Sequence, residues 1–497
     1  MVESAWSMLP PIITIVLALA TKEVYMSLLI GIFSGAILYS EFDVFNAVVT
    51  MFTVMADKIG GNVNILVFLV ILGIIVAAIN RSGATHAYGE WAAKNIKGRR
   101  SAMLLTSFLG MLIFIDDYFN CLTVGTVMRP ITDKFKISRA KLAYIIDATA
   151  APICILAPVS SWAAAVGSSL PEDSDLDGFA LFLQTIPFNL YALLAITFML
   201  FIIFAQKDAF TMANVIREGD STQVPEEYRD NEDHQPIGNG KVMDLILPMA
   251  VLIVSCIYGM LYTGGIQDGA TIADAFADCD AAQGLVLGGF IAFVFTALLY
   301  LPRKVVSFTD FCGTFSQGFK AMAPANMVLC FAWTLSGICG ADYLNLGGYV
   351  GDLVSANTGV AMFLPAIFFI VAIILAFATG TSWGTFGILI PIAVAVIGTE
   401  DINMLTICVA ACLSGAVGGD HASPISDTTI LASAGAQCSH IDHVRTQIPY
   451  VALVGVASFI GYIVDGITCN GWMGLAAGFA VLGCIMAGIM AKGSSVE

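Results

Sequence analysis

Residues 101–131 read SAMLLTSFLG MLIFIDDYFN CLTVGTVMRP I. The run is mostly apolar, yet Asp116, Asp117 and Asn120 sit in its middle. Arg99 and Arg100 precede it, and Lys134, Lys136, Arg139 and Lys141 follow. Lys and Arg concentrate on the cytoplasmic side of membrane proteins, so this stretch starts and ends on that side. It must enter and return, as two short spans or as a re-entrant hairpin with the Asp pair near its turn. An ionisable residue at membrane depth is costly unless it lines a cavity. Asp116 and Asp117 therefore read as a cation or proton site; the alternative is a solvated turn between two short helices.

The rest of the chain supports a membrane setting. Its 497 residues are 58% hydrophobic and only 12% charged, against about 25% charged in a soluble domain. The mean hydropathy is +0.86. Apolar stretches of about spanning length occur at Asn64–Ile79, Phe179–Ala205, Val242–Tyr262 and Gly284–Leu301. We expect an all-α polytopic membrane protein of about 11–13 spanning segments, with Met8–Ala20 as a short first span rather than a signal peptide, because its flank is acidic. Soluble enzymes, secreted disulfide scaffolds and disordered tails are excluded. The net charge of −16 comes from acid blocks at Glu172–Asp177, Glu218–Asp233 and Asp268–Asp280, which read as solvated loops. No basic patch could follow a nucleic-acid backbone. The twelve cysteines form no CxxC pair; Cys154, Cys256, Cys330, Cys408, Cys412 and Cys484 lie in apolar segments and read as buried thiols.

A polar stretch, 206–241, divides the chain into an N-terminal membrane half (1–205) and a C-terminal half (242–466), followed by a terminal span and tail (467–497). The halves repeat one another. Ala157-Pro158-Val159-Ser160-Ser161 corresponds to Ser423-Pro424-Ile425-Ser426-Asp427, and Arg129-Pro130-Ile131 to Ile390-Pro391-Ile392. Ser82-Gly83-Ala84 corresponds to Cys339-Gly340-Ala341, each followed by a Gly-rich piece (Gly89-Glu90-Trp91, Gly348-Tyr349-Val350). The first copy's loops are basic, whereas Ala321–Val444 has no Lys or Arg. The copies are thus expected to be inverted, as in secondary transporters, whose sites sit near the midplane where repeats meet.

The counterpart of the Asp116 break is Thr379-Gly380-Thr381-Ser382-Trp383-Gly384-Thr385, uncharged but rich in hydroxyls. Such breaks are tolerated at membrane depth only where protein or water satisfies the freed backbone. Asp147 lies in a span interrupted by Pro152 and Pro158. Asp420, His421, Ser423, Ser426, Asp427 and Thr428 crowd one short segment around Pro424. A carboxylate there could trade Na⁺ for H⁺; Asp420 and Ser423 could instead cap helix ends. The other histidines (His86, His234, His440, His443) show no metal-ligand spacing. Walker A and Gly-x-Ser-x-Gly sequences are absent, so neither ATP hydrolysis nor hydrolase chemistry is expected, and no catalytic residues are assigned.

Five stretches resemble the NhaC-type sodium/proton antiporters of the ion transporter superfamily: Asp116-Asp117-Tyr118-Phe119-Asn120, Val127–Asp133, Ala157–Trp162, Gly380–Thr385 and Gly419–Thr429. The resemblance covers nearly the whole chain. It implies two inverted-topology repeats with broken helices and re-entrant hairpins, and an elevator mechanism. By analogy with elevator carriers it also implies a homodimer.

These readings lead to a sodium/proton antiporter of the inner (plasma) membrane, with its N-terminus outside and C-terminus cytoplasmic. The ion or substrate residues are Asp116, Asp117, Asn120, Asp147, Ser160, Ser161, Thr381, Ser382, Thr385, Asp420, Ser423, Ser426, Asp427 and Thr428. Within that set Asp117, Asn120, Ser160, Thr381, Ser426 and Asp427 are the Na⁺ candidates. No cofactor is expected beyond Na⁺ and H⁺ as transported ions; the partners are membrane lipid and a small cation or small organic solute. Midplane Arg and Lys are scarce, Arg81 and Arg129 reading as span ends, so a dicarboxylate lacks its basic partner. The alternatives are a Na⁺- or H⁺-coupled carrier of an amino acid or carboxylate, with Trp162 and Trp383 lining its pocket, and a passive cation channel. Asp427→Asn is expected to abolish coupled exchange in liposomes while expression stays near normal; retained exchange would remove Asp427 from the site. Asp133, placed in a Lys-rich loop, is expected to be nearly neutral to substitution.

Overall fold

The computed structural model describes residues 2–21, 23–114, 116–170, 176–217, 238–271, 275, 279–346, 349, 362–424, 426–492 and 494–495. Its helices are α1 (Leu9–Thr21), α2 (Val24–Tyr39), α3 (Val44–Gly61), α4 (Val63–Ser82), α5 (Ala84–Asn95), α6 (Arg99–Leu112), α7 (Asp117–Lys134) and α8 (Arg139–Ala148). Next come α9 (Ala151–Cys154), α10 (Ser161–Gly167), α11 (Gly178–Thr185), α12 (Leu190–Ala205), α13 (Phe210–Arg217), α14 (Val242–Thr263), α15 (Ala281–Tyr300) and α16 (Phe308–Cys339). The last six are α17 (Leu364–Thr379), α18 (Ser382–Ile397), α19 (Ile402–Ala422), α20 (Asp427–Ala436), α21 (His440–Thr468) and α22 (Gly471–Lys492). Among the described residues the only strand pairing is a two-residue ladder of Lys207–Asp208 with Ser494–Ser495.

Six of these helices (α4, α14, α15, α19, α21, α22) are long and apolar enough to cross a membrane, and the stretch of α11 and α12, bent by 43° at its break, passes the same test as a pair, a broken span or a re-entrant loop. The 11–13 full spans expected from the sequence are therefore not all single helices. Many are replaced by shorter apolar helices, such as Tyr25–Tyr39, Leu364–Phe377 and Ser382–Ile397. The expected short first span is α1, a helix of 13 residues, about 20 Å at 1.5 Å per residue, against a hydrocarbon core of about 30 Å. It packs on α2.

Two helices form the centre. Every residue of α8 is buried, as is every residue of α19 from Met404 to His421. A helix buried on all sides carries no solvent or lipid stripe, so its polar residues must be satisfied by neighbouring helices. Small residues let those neighbours approach. At the crossing of α7 and α20, a Cβ on Gly125 would lie 2.3 Å from the Gly435 carbonyl carbon, so only glycine fits there.

The chain breaks where the sequence placed polar residues. One break follows the end of α6 at Leu112 and precedes α7 at Asp117; between α17 and α18 it is Gly380 and Thr381, Gly380 taking the left-handed φ of 70° that glycine adopts without strain. Between α8 and α10 the chain breaks at 149–150 and 155–160; α19 ends at Ala422 and α20 begins at Asp427. Freed backbone groups need partners inside the protein. Asn120 supplies several at once: its amide Nδ2 donates to the carbonyls of Gly110 (2.7 Å), Ile113 (2.9 Å) and Thr149 (2.9 Å).

Several local expectations are corrected. Asp133 is not in a loop: it lies in the last turn of α7 and pairs with Arg139 at 2.9 Å. Arg139 also reaches Gln437 on the far side, so Asp133 holds a crosslink worth about 1 kcal/mol. Arg129 is buried within α7 and donates to the Gly435 carbonyl. Cys484 faces outward, while Cys121 and Cys438 are buried. The polar 206–241 stretch begins with ordered structure, and Asp208 within it pairs with the buried Lys141. Residues 218–237 of that stretch, the acids of 172–175, and Gly348 and Val350 lie outside the described residues.

Asn120→Ala leaves three buried carbonyls without this donor. The expected cost is about 1–3 kcal/mol, read as a lowered Tm of the purified protein in detergent. An unchanged Tm with a weakened Na⁺ response would instead make Asn120 a ligand.

Candidate functional site

The breaks converge on one buried region. Asp116 and Asp117 close the gap before α7, each 2% exposed, so neither faces solvent. Asp420, near the end of α19, is within electrostatic reach of the Asp117 carboxylate. Cys121, one turn along α7, feels all three acids and Asp147 as well. Residues about 300 positions apart thus bring their carboxyl groups into one buried region.

The hydroxyl candidates divide by task. Ser160, Thr381 and Ser426 are N-caps: Ser160 accepts from Ala163 N at the start of α10, Thr381 from Gly384 N at α18, and Ser426 from Thr429 N at α20. Each satisfies a backbone donor that the break would orphan. Ser382 donates to the Ala416 carbonyl, Thr385 to Thr381, and Ser423 to Phe377. Thr428 donates to Asp420 Oδ2 at 2.9 Å and meets Ser426 Oγ at 3.0 Å. Ser161 differs: its hydroxyl is buried and has no partner among the described residues. Ser161 and Asp427 hold matching places, each the first residue of a helix behind a capping serine. The Asp427 side chain itself lies outside the described residues.

Trp162 stands beside Asp117, its indole N–H the group that meets that carboxylate. It meets Trp383 edge to face at 6.2 Å between ring centroids, and both contact Phe386. Both indoles are buried, so they pack the two halves together rather than lining an open pocket. A cavity of about 300 Å³ lies apart, between α1, α16 and α18, lined by Pro11, Leu335, Ser336, Asn345, Pro391 and Thr399 among others. Its lining carries no carboxylate, so it is not where a bare cation would be held.

Asp147 has a separate surrounding, much of which the sequence did not disclose. Gln447 Nε2 donates to Asp147 Oδ2 at 2.6 Å, and Thr429 Oγ1 lies at 3.4 Å. His443 Nε2 stands 3.2 Å from Oδ2, and His421 Nε2 3.5 Å from Oδ1. Tyr191 Oη holds the other nitrogen of His421 at 3.0 Å. His443 and Gln447 are four residues apart on α21, hence on one face. Two polar side chains at that spacing, a turn before the apolar run to Thr468, were the available signal. Among the described residues no group of three His, Cys, Asp or Glu has the arrangement of a metal centre.

Residues 164–467 match the Na⁺/H⁺ antiporter family. An uncharacterized protein of Haemophilus influenzae is 41% identical over 492 residues, covering 96% of this chain and 93% of that protein. The malate-2H⁺/Na⁺-lactate antiporter of Bacillus subtilis is 31% identical over 210 residues, 37% of this chain and 43% of its own. The arginine/ornithine antiporter ArcD of Halobacterium salinarum is 40% identical over 113 residues, 22% of this chain and 23% of its own. The YdaH transporter of Alcanivorax borkumensis aligns over 88% of this chain and 90% of its own, with a TM-score of 0.49 and 14% identity. The family match spans well over half the chain: the protein is a secondary transporter belonging to the Na⁺/H⁺ antiporter family.

Proposed function

We propose that the chain exchanges Na⁺ for H⁺ across the inner membrane, using the Asp116–Asp117 pair as its cation seat. The observation that carries this is the burial of two adjacent carboxylates at a helix break, with Asp420 adding a third charge to the local field. Two like charges on adjacent buried residues repel, on top of the cost of burial. A cation at the pair, or a proton taken up within reach of its field, relieves that repulsion, and each makes the other less necessary. Mutual exclusion of this kind is sufficient for antiport.

In this reading the two halves are inverted repeats. The recurrence of the α6–α7 break at α17–α18, and of capped α10 at capped α20, supports it. The basic ends face the cytoplasm, with the N-terminus outside and the C-terminus inside. Transport proceeds by alternating access of elevator type in a homodimer set in lipid, with no cofactor and no chemical conversion. Ser161, with its idle buried hydroxyl, and Asp427 are the matched positions that would complete the cation shell.

A second reading makes the cargo organic, and the names of the Bacillus and Halobacterium relatives favour it. The packed Trp162–Trp383 contact speaks against an open pocket at the acids. Purified protein in liposomes loaded with a pH dye separates the two. A Na⁺ pulse should move protons without any organic solute, a K⁺ pulse should not, and Asp117→Asn should be silent while eluting and melting as wild type does. A signal appearing only with malate, lactate, arginine or ornithine would overturn cation exchange.

A further inference from the structure

We propose that the exchanged proton is held in a seat of its own, the Asp147–His421–His443 cluster, next to the cation seat rather than on the same carboxylates. This rests on the Na⁺/H⁺ reading above and deepens it.

The geometry of Asp147 is that of an acceptor ringed by nitrogen and hydroxyl groups. Gln447 Nε2 and Thr429 Oγ1 approach Oδ2, and both histidines aim Nε2 at the carboxylate. A Na⁺ shell needs convergent oxygens, whereas these groups are donors or proton acceptors. Asp147 Oδ1 and His421 Nε2 face each other at 3.5 Å. Both are buried, and neither has a hydrogen-bond partner among the described residues. Buried polar atoms are rarely left so. One proton placed between them makes His421 an imidazolium and turns the gap into a charge-assisted hydrogen bond. Tyr191 Oη, 3.0 Å from Nδ1, can accept from or donate to that nitrogen, so it holds the ring in either charge state. Gln447 ties the assembly together, since its Nε2 also donates to the His421 carbonyl at 2.7 Å.

The charge count sets the stoichiometry. With both imidazoles neutral, the buried cluster carries −1. One proton, on His421 or His443, brings it to zero, and a second would leave +1 without solvent, which burial opposes. The cluster therefore takes one proton and returns one.

Its surroundings couple it to the cation seat. From α7, Cys121 lies in the fields of Asp116, Asp117, Asp147 and Asp420 together. From α12, Tyr191 faces Asp147 and Asp420. From α19 come Asp420 and His421, from α21 His443, and from α8 Tyr144 stands toward Tyr191. The nearest fixed cations on α8, Arg139 and Lys141, are engaged by Asp133 and Asp208. Thr429 Oγ1 lies 3.4 Å from both Asp147 Oδ2 and the Asp420 backbone carbonyl, tying the cluster to the end of α19. A cation arriving at Asp116 and Asp117 makes the local potential more positive and favours proton loss; its departure favours return.

Two fluxes in the same liposomes test this. Na⁺-driven proton movement needs both seats, whereas counterflow of radiolabelled Na⁺ against unlabelled Na⁺ needs only the cation seat. The double variant His421→Gln, His443→Gln keeps side-chain N–H donors but no base. Its proton flux is expected to fall about tenfold or more, with counterflow within about twofold of wild type. Unchanged proton flux, or an equal fall in both fluxes, overturns the proposal. If the double variant does not fold, Tyr191→Phe decides: the pH midpoint of proton-coupled flux should move by about half a unit or more with counterflow intact, and an unmoved midpoint overturns the proposal. Wild type lacking Na⁺ flux in either assay would overturn the cation-exchange reading itself, a result distinct from coupling that survives loss of the histidines.

Discussion

A chain crossing hydrocarbon has to satisfy every backbone polar group from within itself, and this protein interrupts its helices repeatedly. The central arrangement follows from that constraint. Asn120 binds three carbonyls across the α6–α7 and α8 breaks. Ser160, Thr381 and Ser426 cap the helices that restart after other breaks. Once these groups close the backbone, carboxylates can stand at the break points without the helices fraying. The same polar residues that make the breaks affordable leave Asp116, Asp117 and Asp420 close together in a buried space.

Contacts between the halves hold that space. Gly125 on α7 meets Gly435 on α20, and Trp162 meets Trp383. Arg129 and Arg139, both early in the chain, reach the end of α20 and the residue that follows it. Asp147 of the first half is thereby brought against His421 and His443 of the second, with Thr429 beside it.

Much of this was legible in the sequence. Polar residues inside apolar runs marked the breaks at Asp116, Gly380 and Pro424, because hydrocarbon tolerates such residues only for a reason. Ser161 and Asp427 were matched by repeat position alone, and both begin helices behind capping serines. The convergence of His421, His443 and Gln447 on Asp147 was not legible: two of its bonds join residues nearly 300 positions apart, and local pattern carries no such information. The hydroxyls were chemically ambiguous, since Ser and Thr serve caps and ligands with the same atom; the structure gives most of them backbone partners. Asp133 was misplaced because charge density suggested a loop, while its pairing with Arg139 depends on how α7 meets α8.

The central claim is that buried acids hold either a cation or, through their neighbours, a proton. The most direct measurement is proton release on Na⁺ binding to purified protein in a weakly buffered detergent solution, followed by a pH indicator with K⁺ as control. The account predicts release of about one proton per protein when Na⁺ saturates, since each charge offsets the other, and none with K⁺. Na⁺ binding without release, or release that waits for an organic solute, would contradict it.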